Sequence, residues 1–362
     1  MRILIDIGHP AHVHLFRNFY HEMKKRGHEL TVTVKEIPSA ISLLEIYGIP
    51  FISLGPKSDH LAGKAIRQLM YDLRMLRIVK RKGVEIGVGS SITLAHVSKI
   101  SSMRSVIFDD DDDEVEPLFA GSGHSLADIL VSPDVLRGKR KRKDTLFYPG
   151  YHELAYLHPE RFTPDHAVLD EAGLKENDPF FVLRFNAFKA HHDGRATGLQ
   201  PQQKTRLVEF LEKHGKVLIT SEKEITPEFS RHRISISPDK IHSLLFYSLM
   251  FIGDSQTMTS EAAVLGVPSL RCNTFAGRIS YLDEQERKYG LTFAFQPEEF
   301  DLMMNKLNDL LLNPGLKEEW QLKRREMLND KTDLTNYMIA LIEDYYLNGE
   351  IAGSDSSGQA KP

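Results

Sequence analysis

Short apolar runs alternate with amphipathic segments along most of this chain. Residues 2–7 form the first run, which ends at a small polar loop, and the helical pattern that follows places Val13, Phe16 and Phe19 on one face before Gly27. Further apolar runs that predict strands lie at 29–34, 50–54, 84–89, 105–108, 127–132, 180–185, 216–220, 248–252 and 267–272. Because helical segments separate most of these runs, the pattern predicts parallel strands joined by helical crossovers, which is a doubly wound α/β fold.

The alternation stops between residues 148 and 164, where Pro, Tyr and His are frequent, and then begins again. At 362 residues the chain has the length of two domains. We therefore predict two Rossmann-like domains, 1–150 and 171–330, joined by a linker at 151–170. A helix at 331–350 and a small, polar, disordered tail at 351–362 complete the expected organisation.

Composition narrows the classes of function. The net charge of −4 argues against a general nucleic-acid-binding protein, whose domains are normally basic. No stretch reaches the roughly 20 continuous apolar residues of a membrane span, and residues 1–6 lead into a strand rather than a signal peptide. Cys272 is the single cysteine, which argues against an internal disulfide and a cysteine zinc cluster. These features predict a cytoplasmic location.

The main candidate site is the polar turn within residues 248–268, between an apolar strand and a helix that ends at Gly266. Free backbone N–H groups and the positive end of the helix dipole meet at such a turn and favour an anion. Ser255 and Thr257 add hydroxyl groups, and Gln256 lies between them. The turn is therefore predicted to bind phosphate.

Glu261 follows this turn in the same helix. A capping box would need Ser or Thr three residues earlier, where the chain has Met258, so capping does not account for the carboxylate. A glutamate that only complements the helix dipole is the alternative. Beside a phosphate-binding turn, we interpret Glu261 as a free carboxylate that accepts hydrogen bonds from the 2′ and 3′ hydroxyls of a ribose.

Other polar segments follow predicted strands in both halves. In the first half they contain Gly8 and His12, and Asp109 after a later strand. Two doubly wound domains are expected to leave a cleft between their strand ends. The corresponding residues of the second half are Arg184, Asn186, His192 and Lys223. We predict that Arg184 or Lys223 faces a diphosphate and that the imidazole of His12 removes a proton from a hydroxyl.

Several patterns argue against a cofactor or a metal. Gly8 stands alone in the first loop, so the three-glycine dinucleotide fingerprint is absent, and no P-loop follows Gly55. The histidines near His12 and His192 match no zinc spacing. We therefore predict neither a cofactor nor a metal.

Two charged runs are interpreted as loops. The acidic residues within 109–116 are expected to be mostly solvated, with one or two carboxylates at the strand end available as acid or base. The basic run 137–143 is also interpreted as a solvated loop, with contact to anionic lipid headgroups or an anionic substrate as the alternative. That alternative would place the protein peripherally at a membrane.

Residues 3–34 and 252–268 resemble the two signature regions of the GT-B glycosyltransferase superfamily, which includes the UDP-N-acetylglucosamine 2-epimerases. Nearly the whole chain resembles the family called domain of unknown function 354, with matches at 108–110, 150–159, 219–223, 253–263 and 271–273. The resemblance implies a GT-B fold with two Rossmann-like domains facing a central cleft.

The resemblance also implies site residues. Ser255 and Glu261 fall on the residues with which the epimerases hold UDP, and His12 resembles a loop histidine of the transferases. Gln256 and Thr257 stand where the epimerases carry two glycines, and the first loop lacks the charged residues of the epimerase pattern. The first departure argues against phosphate contact by bare backbone, and the second argues against the epimerase branch.

The leading hypothesis is a GT-B glycosyltransferase that moves a sugar from a UDP-linked donor to a hydroxyl acceptor in polysaccharide or glycolipid synthesis. Glu261 would hold the ribose, Ser255 and Thr257 the diphosphate, and His12 would be the base. One alternative is epimerisation of the same donor, with carboxylates such as Asp109 as acid and base. The other is a nucleotide-sugar-binding protein without catalysis. The sequence leaves the sugar, the acceptor and the oligomeric state open.

Overall fold

The computed structural model describes residues 1–56, 61–175, 177–185, 197–221 and 226–348. The chain forms two compact units. Unit 1 comprises Met1–Arg161 together with the described residues from Lys331 onward, and unit 2 comprises Phe162–Asp330. Each unit has its own parallel sheet, which confirms the predicted α/β class with two Rossmann-like sheets.

Unit 1 contains, within its described residues, a seven-stranded sheet with the order β3-β2-β1-β4-β5-β6-β7. All neighbouring strands are parallel. The order reverses between β1 and β4, and in open α/β sheets ligands bind at the carboxyl ends of strands beside such a reversal. The strands are β1 (Arg2–Ile7), β2 (Glu29–Glu36), β3 (Phe51–Pro56), β4 (Ile86–Gly89), β5 (Arg104–Phe108), β6 (Ile129–Pro133) and β7 (Leu146–Tyr148).

The helices between these strands cover the sheet of unit 1. They are α1 (Pro10–Lys25), α2 (Pro38–Ile46), α3 (Leu61–Lys82), α4 (Ile92–Lys99), α5 (Pro117–Leu126) and α6 (Leu154–Leu157). Helix α1 begins at Pro10, whose fixed φ suits the first helical position, and the side chain of His9 caps it by accepting from the N–H of Ala11. Phe16 and Phe19 are buried, and α1 contacts β1 and β2.

Unit 2 contains, within its described residues, a five-stranded parallel sheet with the order β12-β11-β10-β8-β9. Its strands are β8 (Phe180–Phe185), β9 (Lys216–Ser221), β10 (Met250–Gly253), β11 (Ser269–Cys272) and β12 (Thr292–Phe295). Its helices are α7 (Val168–Glu171), α8 (Pro201–Leu211), α9 (Ile241–Tyr247), α10 (Gln256–Leu265), α11 (Ser280–Arg287), α12 (Phe300–Leu311) and α13 (Leu316–Asp330). Gly266 ends α10 at a φ of 71°, a left-handed conformation that glycine adopts readily.

The last helix, α14 (Leu334–Asn348), belongs to unit 1. It contacts α1 and α6. The hydroxyl of Thr335 donates to the carbonyl of Ala155 at 2.8 Å, and Arg26 pairs with Glu343 at 3.1 Å. The chain therefore returns to unit 1 after unit 2 is complete. Among the described helices, none is long and apolar enough to cross a membrane.

Candidate functional site

In unit 2, the predicted phosphate-binding turn follows β10. Gly253 ends this strand, and a Cβ at its position would lie 2.2 Å from the carbonyl oxygen of Arg184 in the paired strand β8. Glycine permits this close approach of the two backbones because it has no side chain. Ser255 then caps α10, since its Oγ accepts a hydrogen bond from the N–H of Met258 at 3.4 Å. Strand, turn and helix thus follow in the predicted order.

The first turn of α10 carries Gln256 and Thr257, both half-buried. The N–H groups of a first helical turn have no carbonyl partner within the helix, so this end attracts anions. Side chains hold the backbone before it: Thr259 donates to the carbonyl of Ser255 at 2.6 Å, and Asn273 donates to the carbonyl of Asp254 at 2.9 Å. The start of α10 is therefore held in place by hydrogen bonds from side chains.

Glu261 lies one turn into α10 and is 4% exposed. Its Oε1 is 2.9 Å from Nε2 of His242 on α9, which is 1% exposed. Capping does not occupy the carboxylate, since Ser255 caps the helix. The interpretation of Glu261 as a free carboxylate is nevertheless wrong, because His242 pairs with it. Any ribose contact would be made by a carboxylate that this imidazole already orients.

Arg184, the predicted cation, lies near the carboxyl end of β8. Its Nη1 donates to Oγ1 of Thr220 at 3.0 Å, which directs the guanidinium toward β9, on the side of β8 away from β10. The other predicted binding residues of unit 2, Asn186, His192 and Lys223, lie outside the described residues.

In unit 1, His12 lies in the first turn of α1, just after β1. The N–H of Gly8 donates to its Nδ1 at 3.3 Å. Burial, together with the neighbouring His9 and His152, lowers the pKa of His12 to about 3, so the ring is neutral near pH 7. Because Nδ1 accepts a hydrogen bond, the hydrogen-bond network assigns the proton of the neutral ring to Nε2. His12 therefore offers a hydrogen-bond donor, whereas the predicted role as base needs a nitrogen that accepts a proton.

Asp109 directly follows β5, and its carboxylate is engaged within unit 1. Its Oδ2 lies 2.9 Å from Nε2 of His124 and 2.8 Å from Nη2 of Arg140. Asp109 is 5% exposed and Arg140 is 4% exposed. The predicted role of Asp109 as acid or base would require these buried contacts to break, which is costly.

The basic run 137–143 is not a solvated loop at its centre. Arg140 pairs with Asp113 at 2.6 Å and also donates to Oγ of Ser132 and to two carbonyls of the acidic run. Arg142 donates to the carbonyls of residues 124 and 127. The solvated-loop prediction is wrong for these arginines. The acidic run supplies buried counter-charges to Arg140, and backbone carbonyls bind Arg142. The prediction is also wrong for Asp113, which is buried.

Asp110 faces His152, with Oδ1 3.1 Å from Nδ1. Burial raises the pKa of Asp110, but the charge and hydrogen bond of His152 outweigh it and hold the pKa below its ordinary value. Burial lowers the pKa of His152, but Asp110 raises it above the ordinary value. Tyr148 stacks on the imidazole, with 6.4 Å between ring centroids and 6° between planes. Nε2 of His152 is buried and has no hydrogen-bond partner among the described residues. The result is an Asp–His dyad whose outer nitrogen is buried and unpaired among the described residues.

The carboxylates of residues 109–111 lie together, since oxygens of all three approach within 4.8 Å of one another. Burial and the charges of Asp110 and Asp109 raise the pKa of Asp111 well above its ordinary value, which favours the protonated form. Arg140 and His152 already balance the charges of Asp109 and Asp110. The cluster therefore holds two carboxyls, Asp110 and Asp111, whose pKa values move in opposite directions.

Sequence reasoning assigned no role to Asp110, His152 or His242. Asp110 and His152 lie in the segments 108–110 and 150–159 that carried the family resemblance, and this was the available signal. No sequence signal pointed to His242. It is one of the 16 histidines of the chain and lies within a short apolar helix.

Comparison with known proteins places this chain in one protein family. The model of a family described as "Protein of unknown function (DUF354)" matches residues 1–334. An uncharacterized protein of Methanocaldococcus jannaschii is 23% identical over 301 residues, which cover 79% of this chain and 86% of that protein.

Solved structures share the fold. A Listeria monocytogenes protein described as a UDP-N-acetylglucosamine 2-epimerase aligns with a TM-score of 0.70 and 14% identity, over 97% of this chain and 98% of its own. The glycosyltransferase SsfS6 of Streptomyces sp. SF2575, solved with thymidine diphosphate, aligns with a TM-score of 0.61 and 13% identity, over 94% and 99%. This likeness establishes the GT-B fold expected from the sequence.

Proposed function

The chain belongs to the DUF354 family, and we propose that it is a GT-B glycosyltransferase that moves a sugar from a UDP-linked donor to a hydroxyl acceptor. The observation that carries the proposal is the buried pair of His152 and Asp110, in which Nε2 of His152 has no hydrogen-bond partner among the described residues. Transfer to a hydroxyl requires removal of the hydroxyl proton, and a dyad of this geometry is suited to that task. The names of the two solved relatives of the fold, which include a UDP-sugar and thymidine diphosphate, support a nucleoside-diphosphate donor.

In the proposed reaction, Nε2 of His152 accepts the hydroxyl proton. The acceptor oxygen bonds to the anomeric carbon as the bond from that carbon to the diphosphate breaks. Asp110 accepts from Nδ1–H of His152, which keeps the required tautomer and stabilises the imidazolium that forms. His12 donates from Nε2–H to an oxygen of the donor. The role of base thus passes from His12 to His152, because a pKa of about 3 makes His12 a weak proton acceptor.

Unit 2 is proposed to bind the nucleotide. Glu261 accepts from the ribose hydroxyls, and the start of α10 with Ser255, Gln256 and Thr257 receives the diphosphate. Arg184, at the neighbouring strand end, supplies positive charge. These roles are supported by the capped helix start and by the orientation that His242 gives to Glu261.

The base role is tested with His152→Asn. Purified protein is incubated with a panel of nucleotide sugars and hydroxyl acceptors, and UDP release is measured. We expect the variant to lose about 10²–10⁴-fold in rate, the usual contribution of a general base, while its affinity for UDP stays unchanged. His21→Asn, an exposed histidine of the same unit, is the matched control and should keep the wild-type rate. Full turnover by His152→Asn would exclude this residue as the base.

The ribose contact is tested with Glu261→Gln, which keeps the size of the side chain and an oxygen for His242. Loss of a charged hydrogen bond of roughly 1–3 kcal/mol predicts that UDP binds about 5- to 150-fold more weakly by calorimetry. Glu298→Gln, on the exposed surface of unit 2, should bind UDP as the wild type does. Equal affinities for Glu261→Gln and the wild type would remove Glu261 from the site.

One observation favours a second candidate, epimerisation of the UDP-sugar. Two neighbouring carboxyls with pKa values moved apart, Asp110 and Asp111, are the arrangement expected of an acid and a base. Inversion at a carbon that carries hydrogen breaks its C–H bond, so the reaction in D2O would introduce deuterium. Incubation of UDP-N-acetylglucosamine in D2O without an acceptor, followed by NMR, separates the cases. A deuterated second isomer supports the epimerase, and binding with neither isomer nor transfer supports a nucleotide-sugar-binding protein.

A further inference from the structure

Helix α3 leaves one face uncovered in unit 1. Its opposite face is packed, since Tyr71, Met75 and Val79 lie in a buried apolar cluster. The uncovered face carries apolar side chains at the helical spacing i, i+3, i+4 and i+7. They are Ile66, Leu69, Met70 and Leu73, which are 64%, 59%, 41% and 45% exposed.

Polar contacts hold α3 in this orientation. The hydroxyl of Tyr71 donates to the carbonyl of Pro56 at 2.7 Å, and Arg74 donates to the carbonyl of Leu54 at 2.6 Å. Gln68 donates to Oγ1 of Thr93 at 3.0 Å. A rotation that buried the apolar stripe would break these bonds and withdraw Met75 and Val79 from the core. The stripe is therefore a stable feature of the folded unit.

Helix α3 carries an excess of positive charge. Its last turns continue the uncovered face with the exposed Arg77, Lys80 and Arg81. The acid within the helix, Asp72, is turned away and bonds Gln68 and His96 at 2.7 and 2.8 Å. The basic residues of the helix are Lys64, Arg67, Arg74, Arg77, Lys80, Arg81 and Lys82. An apolar stripe bordered by cations fits a partner that has an anionic surface layer with an apolar layer beneath it.

We infer that the α3 face, defined by Ile66, Leu69, Met70, Leu73, Arg77, Lys80 and Arg81, docks on an anionic lipid bilayer. The helix would lie in the plane of the surface, with the apolar stripe among the acyl chains and the cations at the headgroups. A second copy of the chain fits poorly, because a symmetric contact would bring the same cations together. In the basic run 137–143, Arg140 and Arg142 are bonded inside the unit and do not contribute to such a surface.

Vesicle binding tests the inference. The wild-type protein is sedimented with vesicles of phosphatidylcholine alone or with about 30 mol% phosphatidylglycerol, at low and high salt. We expect binding to the anionic vesicles that weakens as salt rises, and at least about tenfold weaker binding for Leu69→Glu/Leu73→Glu. The matched control is Leu302→Glu/Leu312→Glu, which changes leucines that are 58% and 74% exposed in unit 2. It should bind as the wild type does.

Several outcomes would overturn the inference. The inference is wrong if the wild type does not bind anionic vesicles, or if it binds neutral vesicles equally well. It is also wrong if the two double variants lose vesicle binding to the same extent. Light scattering provides a further discriminating measurement. If Leu69→Glu/Leu73→Glu dissociates an oligomer of the wild type, the face is a contact between copies of the chain instead. Circular dichroism checks that both variants keep the wild-type fold.

Discussion

Replacing Arg140 with methionine removes a cation from the most highly charged buried cluster described in unit 1. Its guanidinium lies between Asp109 and Asp113, at 2.8 and 2.6 Å from their carboxylate oxygens. It also donates to the carbonyls of Asp109 and Asp111 and to Oγ of Ser132. Methionine keeps the apolar stem, so the change mainly leaves buried acceptors without their donor.

The expected loss of stability is large. Two charge-assisted hydrogen bonds disappear, each worth about 1.5–3 kcal/mol, which places the loss at about 3–6 kcal/mol. This agrees with the roughly 3–5 kcal/mol that removal of one partner of a buried ion pair usually costs. Against a total free energy of unfolding of about 5–15 kcal/mol, the change should be evident in any equilibrium measurement.

Urea unfolding followed by circular dichroism measures the effect. Trp320 is the single tryptophan of the chain and lies in unit 2, so its fluorescence reports that unit separately. We expect Arg140→Met to shift the dichroism transition to lower urea and to leave most of the tryptophan transition in place. Lys143→Met, an exposed change in the same basic run, is the control and should alter stability by less than about 0.5 kcal/mol.

The loss should depend on pH. Burial raises the pKa of Asp113, but the N–H of Lys141 and the guanidinium of Arg140 hold it below its ordinary value. A carboxyl with a depressed folded pKa contributes stability above its unfolded pKa of about 3.9, and the contribution is lost as the pH falls through the folded value. The difference between wild type and Arg140→Met should therefore be largest near pH 7 and narrow below about pH 4. Equal unfolding midpoints for Arg140→Met and Lys143→Met at pH 7 would refute the reasoning.

Further predictions concern a glycine, a buried acid and the dyad. Gly266→Ala forces a side chain into a φ of 71°, with its Cβ 2.6 Å from a neighbouring amide nitrogen, and should cost more than the roughly 1–2 kcal/mol of backbone strain alone. Gly173→Ala, at φ 66° with nothing within 4 Å, should show only that strain when tryptophan fluorescence follows unfolding. Burial raises the pKa of Asp6. The contribution of this side chain to the free energy of unfolding is therefore lost as the pH rises through its folded pKa. The free energy of unfolding of Asp6→Asn relative to wild type should therefore improve as the pH rises above the ordinary aspartate pKa of about 3.9, as measured by urea titrations. Because Asp110 raises the pKa of His152, transfer should fall in acid with a limb above the ordinary histidine value of 6.5, and Asp110→Asn should move that limb to lower pH in rate profiles.

Much of the fold is encoded in local patterns. The apolar runs at 2–7 and 180–185 became β1 and β8 with the predicted bounds, because fully buried parallel strands must be almost continuously apolar. Strand β7, with only Leu146–Tyr148, was not predicted, since three residues show no periodicity. The return of α14 to unit 1 was also not predicted, because it depends on contacts with α1 and α6 rather than on a local signal.

The candidate site was likewise predictable only where its residues are adjacent in sequence. The turn before α10 was predictable because its strand, its hydroxyl residues and its helix are adjacent in sequence. The partners of the charged residues were not, because they come from other elements. Arg140 is 31 residues from Asp109, and His242 is 19 residues from Glu261. The charge runs 109–116 and 137–143 were each interpreted alone as mostly solvated loops, whereas Arg140 of the second run lies in a buried cluster with Asp109 and Asp113 of the first.

The consecutive aspartates 109–113 show how such partners determine chemistry. Asp109 and Asp113 contact the same buried guanidinium and serve the structure. Asp110 is held ionised by the imidazole of His152, which it orients. Asp111 is influenced mainly by burial and by neighbouring carboxylates, so its pKa rises. Identical side chains thus differ in role because different groups face them. It follows that Arg140→Met and Asp110→Asn should separate stability from catalysis, since the first removes a structural cation and the second changes the group that orients the proposed base.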